Sequence, residues 1–249
     1  MQLVLITGGA LRIGRAIAFY LAKSGFSIAI QYNRSEAEAV DTVEAISQLG
    51  GKAACFRASL AEHAEVEALI PEAAKAMGGP VTCLVNNASH FADDRLPALT
   101  PASLRPHMAV NLEAPIFLAQ AFAAQLPGEF SGNIVNIIDQ RVLRPNPQFF
   151  SYTLSKSALW AATQTLAQAL APRIRVNAIG PGPALGSVYQ SEADFAHECR
   201  SMPLGHGTTP EEIADAVLFI LRAPSMTGQM IALDGGQHLL WQTPDIRVT

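Results

Sequence analysis

Short apolar runs alternate with stretches of helical periodicity along nearly the whole chain, and this rhythm constrains the fold more than any single residue. The runs are Gln2–Thr7, Ser27–Tyr32, Ala53–Arg57, Val81–Asn86, Gly132–Ile138, Arg173–Ala178 and Gln229–Leu233. They are rich in β-branched residues and read as strands. Between them the pattern predicts helices over Gly14–Ser24, Glu36–Leu49, Ala64–Met77, Pro101–Gln125, Tyr152–Ala171 and Pro210–Leu221. A strand that is followed by a helix and then another strand pairs in parallel, and parallel sheets need cover on both faces. Runs such as Ile134-Val135-Asn136-Ile137-Ile138 are apolar almost throughout, as strands buried on both sides must be. The expected fold class is therefore α/β, a doubly wound seven-stranded parallel sheet forming a single domain over residues 1–249. The segment Gly180–Thr209 is too long and too rich in Gly and Pro for an ordinary connection. It follows the C-terminal end of a strand, where such sheets bind ligands, and is expected to be a substrate or lid loop.

Composition narrows the partners. Hydrophobic residues make up 49% of the chain and charged ones 15%, which excludes a disordered or collagen-like protein. Seventeen Lys and Arg against 21 Asp and Glu leave a net charge of −4, so no nucleic-acid or anionic-membrane partner is expected and a small-molecule substrate is. Cys55, Cys83 and Cys199 are odd in number and widely spaced, which argues against a disulfide framework and for a reducing, cytoplasmic setting. The six histidines show neither HxH nor HExxH spacing, and no metal site is expected. The N-terminus lacks a basic region ahead of its apolar run, and no long apolar span follows, so neither an export signal nor a membrane helix is expected.

The first strand runs into Thr7-Gly8-Gly9-Ala10-Leu11-Arg12-Ile13-Gly14 and then a helix. In that setting backbone N–H groups of the turn and of the helix N-terminus converge on one point, which suits a pyrophosphate. A site for NAD would place Asp or Glu roughly 20 residues further on, against the ribose 2′-hydroxyl. The second strand ends instead in Asn33-Arg34-Ser35. A guanidinium with neighbouring polar groups fits a 2′-phosphate, so NADP(H) is expected rather than NAD(H). A merely solvated arginine at a strand end is the alternative.

Tyr152-Thr153-Leu154-Ser155-Lys156 places a phenol and an ammonium one helical turn apart on the same face. The ammonium is expected to lower the phenol from its usual value of about 10, toward proton exchange near neutral pH.

Further motifs follow in a fixed order: Asn86-Asn87-Ala88 after the fourth strand, Asn111 in a helix, Asn177 ahead of Pro181-Gly182, and Leu233-Asp234-Gly235-Gly236. Together with the turn and the Tyr/Lys pair, they make the chain resemble the short-chain dehydrogenase/reductase family over essentially its full length. The resemblance implies a Rossmann-type domain in which Tyr152 is the acid/base. Lys156 would bind the nicotinamide ribose, and Asn111 would hold a water of the proton relay. It also implies that Gly8, Ile13, Gly14, Asn87, Ala88 and Ser89 line the cofactor, with Pro181 and Gly182 beside the nicotinamide and Ser59 and Leu60 near the adenine. A homotetramer is the family's usual assembly.

Departures from the family pattern refine the expectation. The middle glycine of the turn is Arg12, the usual N-N-A-G is Asn86-Asn87-Ala88-Ser89 followed by His90 and Phe91, and Asp139 stands where most members carry a serine 13 residues before the tyrosine. These features, with Arg34-Ser35, resemble the pteridine reductases and the related bacterial dihydromonapterin or dihydrofolate reductases. That subgroup implies that Phe91 stacks a pterin against the nicotinamide and that Arg12 touches both cofactor phosphate and pterin. It also implies that Asp139 joins Tyr152 in proton delivery. Other departures are Ser59 in place of a common Asp, and Ser187 as the first hydroxyl after Pro181-Gly182. A ketone reductase needing only the Tyr/Lys pair, and a non-catalytic NADPH sensor, are the alternatives.

Overall fold

A computed structural model describes residues 2–242; Met1 and residues 243–249 of the expected domain lie outside the described residues. Seven parallel strands form one sheet in the order β3-β2-β1-β4-β5-β6-β7. They are β1 (Leu3–Thr7), β2 (Ser27–Tyr32), β3 (Ala53–Arg57), β4 (Val81–Asn86), β5 (Gly132–Ile137), β6 (Ile174–Pro181) and β7 (Met230–Leu233). This is a single Rossmann-type α/β domain. Alternation along β1 shows how the sheet divides its apolar surface. Leu3 and Leu5 point to one face, and Val4 and Ile6 to the other.

The Leu5 face is covered by α3 (His63–Met77), α5 (Ala114–Gln125) and α6 (Phe150–Leu170), with Val66, Ile70, Leu118 and Phe122 among the buried contacts. The Ile6 face is covered by α1 (Arg12–Lys23), α2 (Glu36–Gln48) and α8 (Pro210–Arg222), through Ile17, Leu21, Ile46 and Val217. Each fully buried Leu or Ile of these layers contributes roughly 1.5–3 kcal/mol by burial. The order in which successive strands are added reverses between β1 and β4, which are parallel neighbours in the sheet. The crevice at their C-terminal ends is the topological switch point where such sheets bind ligands.

Two sequence expectations need correction. The helix expected over Pro101–Gln125 is α4 (Pro101–Met108), one π turn (Ala109–Glu113) and α5. Pro115 has no N–H to offer the carbonyl of Asn111 four residues back, so the regular ladder breaks there. The segment Gly180–Thr209 is less irregular than expected, because β6 runs on to Pro181 and a further helix, α7 (Glu192–Arg200), lies within it. No residue of α7 is buried, so it has no apolar stripe. A reciprocal capping pair starts it instead: Ser191 Oγ accepts from Asp194 N at 3.2 Å, and Asp194 Oδ2 accepts from Ser191 N at 3.1 Å. Among the described residues, no helix is long and apolar enough to cross a membrane.

Candidate active site

The turn after β1 is built by close approach. A Cβ on Gly14 would lie 2.2 Å from the carbonyl oxygen of Gly8 and 2.6 Å from Asn87 Nδ2, so only glycine fits there. Thr7 Oγ1 accepts from the backbone N–H groups of Asn87 and Ala88 at 2.9 and 3.0 Å, and Asn87 Nδ2 donates to the carbonyls of Thr7 and Gly8. These bonds lace the end of β1 to the end of β4. On the other side Gln31 Oε1 accepts from Gly8 N at 2.8 Å while its Nε2 donates to Ala58 O at 2.7 Å. A cavity of about 190 Å³ opens between them, lined by Gly8, Gln31, Asn33, Leu60, Ala88, Ser89, His90 and Val110.

Arg34 and Asn33 are exposed at the end of β2, beside half-exposed Ser35, and Arg34 has no hydrogen bond or ion pair among the described residues. An unpaired guanidinium beside a glycine cradle fits a phosphorylated dinucleotide. The carboxylate that position 59 lacks is present nearby, because Ser59 N donates to Glu65 Oε2 at 2.7 Å. Sequence reasoning did not single out Glu65 or Gln31, since both reach the site through space.

Arg12 occupies the left-handed region at φ +52°, where the family's usual glycine is at ease. The strain is of the order of 1–2 kcal/mol. Its Nη2 crosses to the segment after β6 and donates to the carbonyls of Leu185 and Gly186 at 3.3 and 3.1 Å. Pro181 and Gly182 pack closely against the end of β7. Gly182 N donates to Leu233 O at 2.9 Å, and a Cβ on Gly182 would lie 2.7 Å from the Cα of Asp234.

Tyr152 and Lys156 lie on one face of α6, both buried. The Tyr152 hydroxyl donates to Asp139 Oδ2 at 2.9 Å, and Asp139 Oδ1 accepts from Arg141 N at 2.8 Å. Asp139 is thus bound into the site rather than a solvated carboxylate at a strand end. Lys156 Nζ donates to Ile137 O at 2.8 Å and lies 5.7 Å from the centre of the Tyr152 ring.

The electrostatics reverse the expectation drawn from the Tyr/Lys spacing. Burial, and then the charge of Asp139, raise the Tyr152 phenol well above its ordinary value. Burial likewise raises the Asp139 carboxyl, against the opposing pull of Arg141, Tyr152 and Lys156. It brings the Lys156 ammonium down to about 8, with Asp139 holding it partly up. The ammonium therefore does not acidify the phenol here. A carboxyl group whose proton affinity is raised sits directly on the tyrosine hydroxyl.

Asn111 lies fully buried in the π turn. Its Nδ2 donates to His90 O at 2.9 Å and Ser155 Oγ at 3.0 Å, while its Oδ1 accepts from His90 N at 2.7 Å and Ser89 Oγ at 3.2 Å. The side-chain amide is fully used in fixing the Ser89-His90 backbone and has no donor left for a water. His90 packs edge-on against buried His107, with ring centres 4.5 Å apart. Burial lowers its imidazole below the ordinary value.

Phe91 belongs to an aromatic group that the sequence only partly revealed. It stacks on Phe149 at 4.5 Å, meets Tyr152 edge-on at 4.8 Å, and lies 5.8 Å from Tyr189 of the segment after β6. Phe149 covers one face of Phe91 and is itself covered by the Arg141 guanidinium, 5.6 Å from its ring centre. A flat substrate therefore has only the other face of Phe91 to stack on. Leu159 is core at 1% exposure, with Trp160 packed beside it.

A glycine-laced dinucleotide turn at the switch point and a buried Tyr/Lys pair on a helix after β5 define a nucleotide-dependent oxidoreductase. The family model for short chain dehydrogenases matches residues 2–195, and the chain belongs to that family. Among solved structures, FolM alternative dihydrofolate reductase 1 from Brucella canis, complexed with NADP, is 50% identical with a TM-score of 0.96. The match covers 99% of this chain and 97% of that one. A short chain dehydrogenase from Burkholderia cenocepacia J2315, in complex with NADP, is 33% identical with a TM-score of 0.87, covering 94% and 97%. The 3-oxoacyl acyl-carrier-protein reductase FabG of Staphylococcus epidermidis is 30% identical over 240 residues, 94% of this chain and 98% of the relative.

Proposed function

We propose that this protein is an NADPH-dependent reductase of a pterin or dihydropterin. The observation that carries the reading is the 2.9 Å bond from Tyr152 to Asp139, set against an aromatic floor of Phe91 and Phe149. The 50% identity to an NADP-complexed dihydrofolate reductase supports it. Bound NADPH would supply a hydride to the carbon of a C=N bond.

The chain's own residues supply the rest. Gly8, Ile13, Gly14, Asn87, Ala88 and Ser89 would surround the dinucleotide, with Ser59 and Leu60 toward the adenine and Pro181 and Gly182 toward the nicotinamide. Arg34, Asn33 and Ser35 would hold the 2′-phosphate. Two of the three Lys156 donors have no partner among the described residues and are available to ribose hydroxyls. Tyr152 delivers a proton to the substrate nitrogen, and Asp139, its carboxyl raised by burial, returns one to the phenol. A hydroxyl at position 139 could polarise a carbonyl but could not act as this reservoir. The relay water would lie on the backbone carbonyl of Asn111, which Pro115 cannot serve. Arg12 and Phe91 would meet the pterin ring, and stacking on Phe91 is worth about 0.5–1.5 kcal/mol beyond area burial. A lid role for residues 180–209, a cytoplasmic setting in line with three free cysteines, and a homotetramer complete the reading.

NADPH oxidation measured against pterins, dihydropterins, dihydrofolate and simple ketones tests it. Asp139→Ala and Phe91→Ala are each expected to lower dihydropterin turnover by about tenfold or more, roughly 1.4 kcal/mol in the transition state, with NADPH affinity little changed. Arg34→Ala is expected to remove a preference for NADPH over NADH of about 10- to 150-fold, matching roughly 1.5–3 kcal/mol of charge-assisted bonding. An enzyme that ignores every pterin, reduces ketones and tolerates Asp139→Ala would be a general carbonyl reductase instead.

A further inference from the structure

Helix α6 carries Tyr152 in its first turn, yet it begins without a local cap. Phe149, at the capping position, has φ +51° and no side-chain acceptor. Its ring is spent in the aromatic floor, so the residue type that lines the pocket excludes the residue types that would cap the helix. The missing acceptors come from Asp94, on the segment after β4. Its backbone carbonyl accepts from Phe150 N at 3.1 Å, and its Oδ1 accepts from Ser151 N at 2.9 Å.

The next residue is Tyr152. The same segment carries Phe91, stacked on Phe149 and edge-on to Tyr152. Its other side is pinned by His107, whose Nε2 accepts from Ala92 N at 3.2 Å while its Nδ1 donates to Ser103 O at 2.8 Å. Burial raises the Asp94 carboxyl, but hydrogen bonding from Ser151 outweighs it and holds the group below its ordinary value.

We propose that Asp94 is a positioning residue, which sets Tyr152 against both Asp139 and Phe91 by capping α6 from the pocket floor. The inference rests on Tyr152 being the proton donor and not on the identity of the substrate. The experiment compares kcat, KM and NADPH Kd for Asp94→Ala, Asp94→Asn and Tyr152→Phe on whichever substrate the wild type reduces best, with thermal melting alongside. Asp94→Ala is expected to lower kcat by about tenfold or more while NADPH Kd stays within about twofold. Asp94→Asn keeps an acceptor oxygen for Ser151 N and is expected to restore kcat to within about threefold of wild type.

Wild-type kcat in Asp94→Ala, beside an inactive Tyr152→Phe, overturns the proposal. So does a parallel fall of kcat, NADPH affinity and melting temperature in both Asp94 variants, which marks a merely structural residue. A fully active Tyr152→Phe would instead overturn the assignment of the donor, an outcome distinct from either.

Discussion

Lys156 shows how burial decides chemistry at a single residue. Its ammonium is brought down to about 8 from 10.5, so it loses its charge in a range where an exposed lysine would keep it. Ribose hydroxyls hydrogen-bonded to the charged form would raise that value in the complex. Affinity linked to the group is then fully present below pH 8 and falls as pH rises through 8 toward the higher value of the complex. Titrating NADP(H) between about pH 6.5 and 9.5 should show Kd rising on the alkaline side, and an unchanging Kd would refute the link. The Tyr/Lys pair was legible from its spacing once the preceding strand and the glycine-rich turn gave it a context. The sign of its electrostatics was not, because Asp139 is far from Lys156 in sequence and desolvation is invisible there. Tyr189 and Asp94 escaped notice because each reaches the site from a separate segment, and Phe149 because its left-handed backbone, which turns it onto Phe91, is not a sequence signal.

Among elements, the turn between β1 and α1 leaves the least latitude. Gly14→Ala would put a methyl 2.2 Å from a backbone oxygen that cannot yield without moving the Thr7 and Asn87 bonds. Overpacking of that kind typically costs about 1–3 kcal/mol. The variant should melt lower and bind NADPH far more weakly; calorimetry and a cofactor titration would show both, and normal affinity would contradict the account. The π turn makes a second case. Asn111→Ala strips the partner from His90 N and the shorter of two from His90 O, which keeps Ser89 Oγ at 3.4 Å; leaving a group unpaired costs roughly 1–3 kcal/mol where it is buried. Chemical denaturation should show that loss, and unchanged stability would count against it.

All seven strands could be read from apolar runs: the five inner ones are buried on both faces, and the half-buried edge strands β3 and β7 still keep short apolar runs. The π turn could not, because helical periodicity continues through it. Helix α7 was not read either, because a helix that buries nothing has no period to find.

For the whole molecule, one side chain bonds the turn after β1 to the segment after β6. Arg12 stands in the turn, and its Nη2 already serves Leu185 and Gly186, while Nε and Nη1 have no partner among the described residues. A guanidinium has donors enough to hold a phosphate and this segment together. A cofactor that engages the free donors would immobilise Arg12, and with it the segment that brings Tyr189 over Phe91. The ordering entropy of that segment would then be lost before substrate arrives. Substrate and cofactor should accordingly add in a compulsory sequence, cofactor first. The oxidised cofactor should inhibit competitively against NADPH, and the reduced product should not. Arg12→Ala should relax that sequence toward random addition, since the segment after β6 would no longer register whether the dinucleotide is in place.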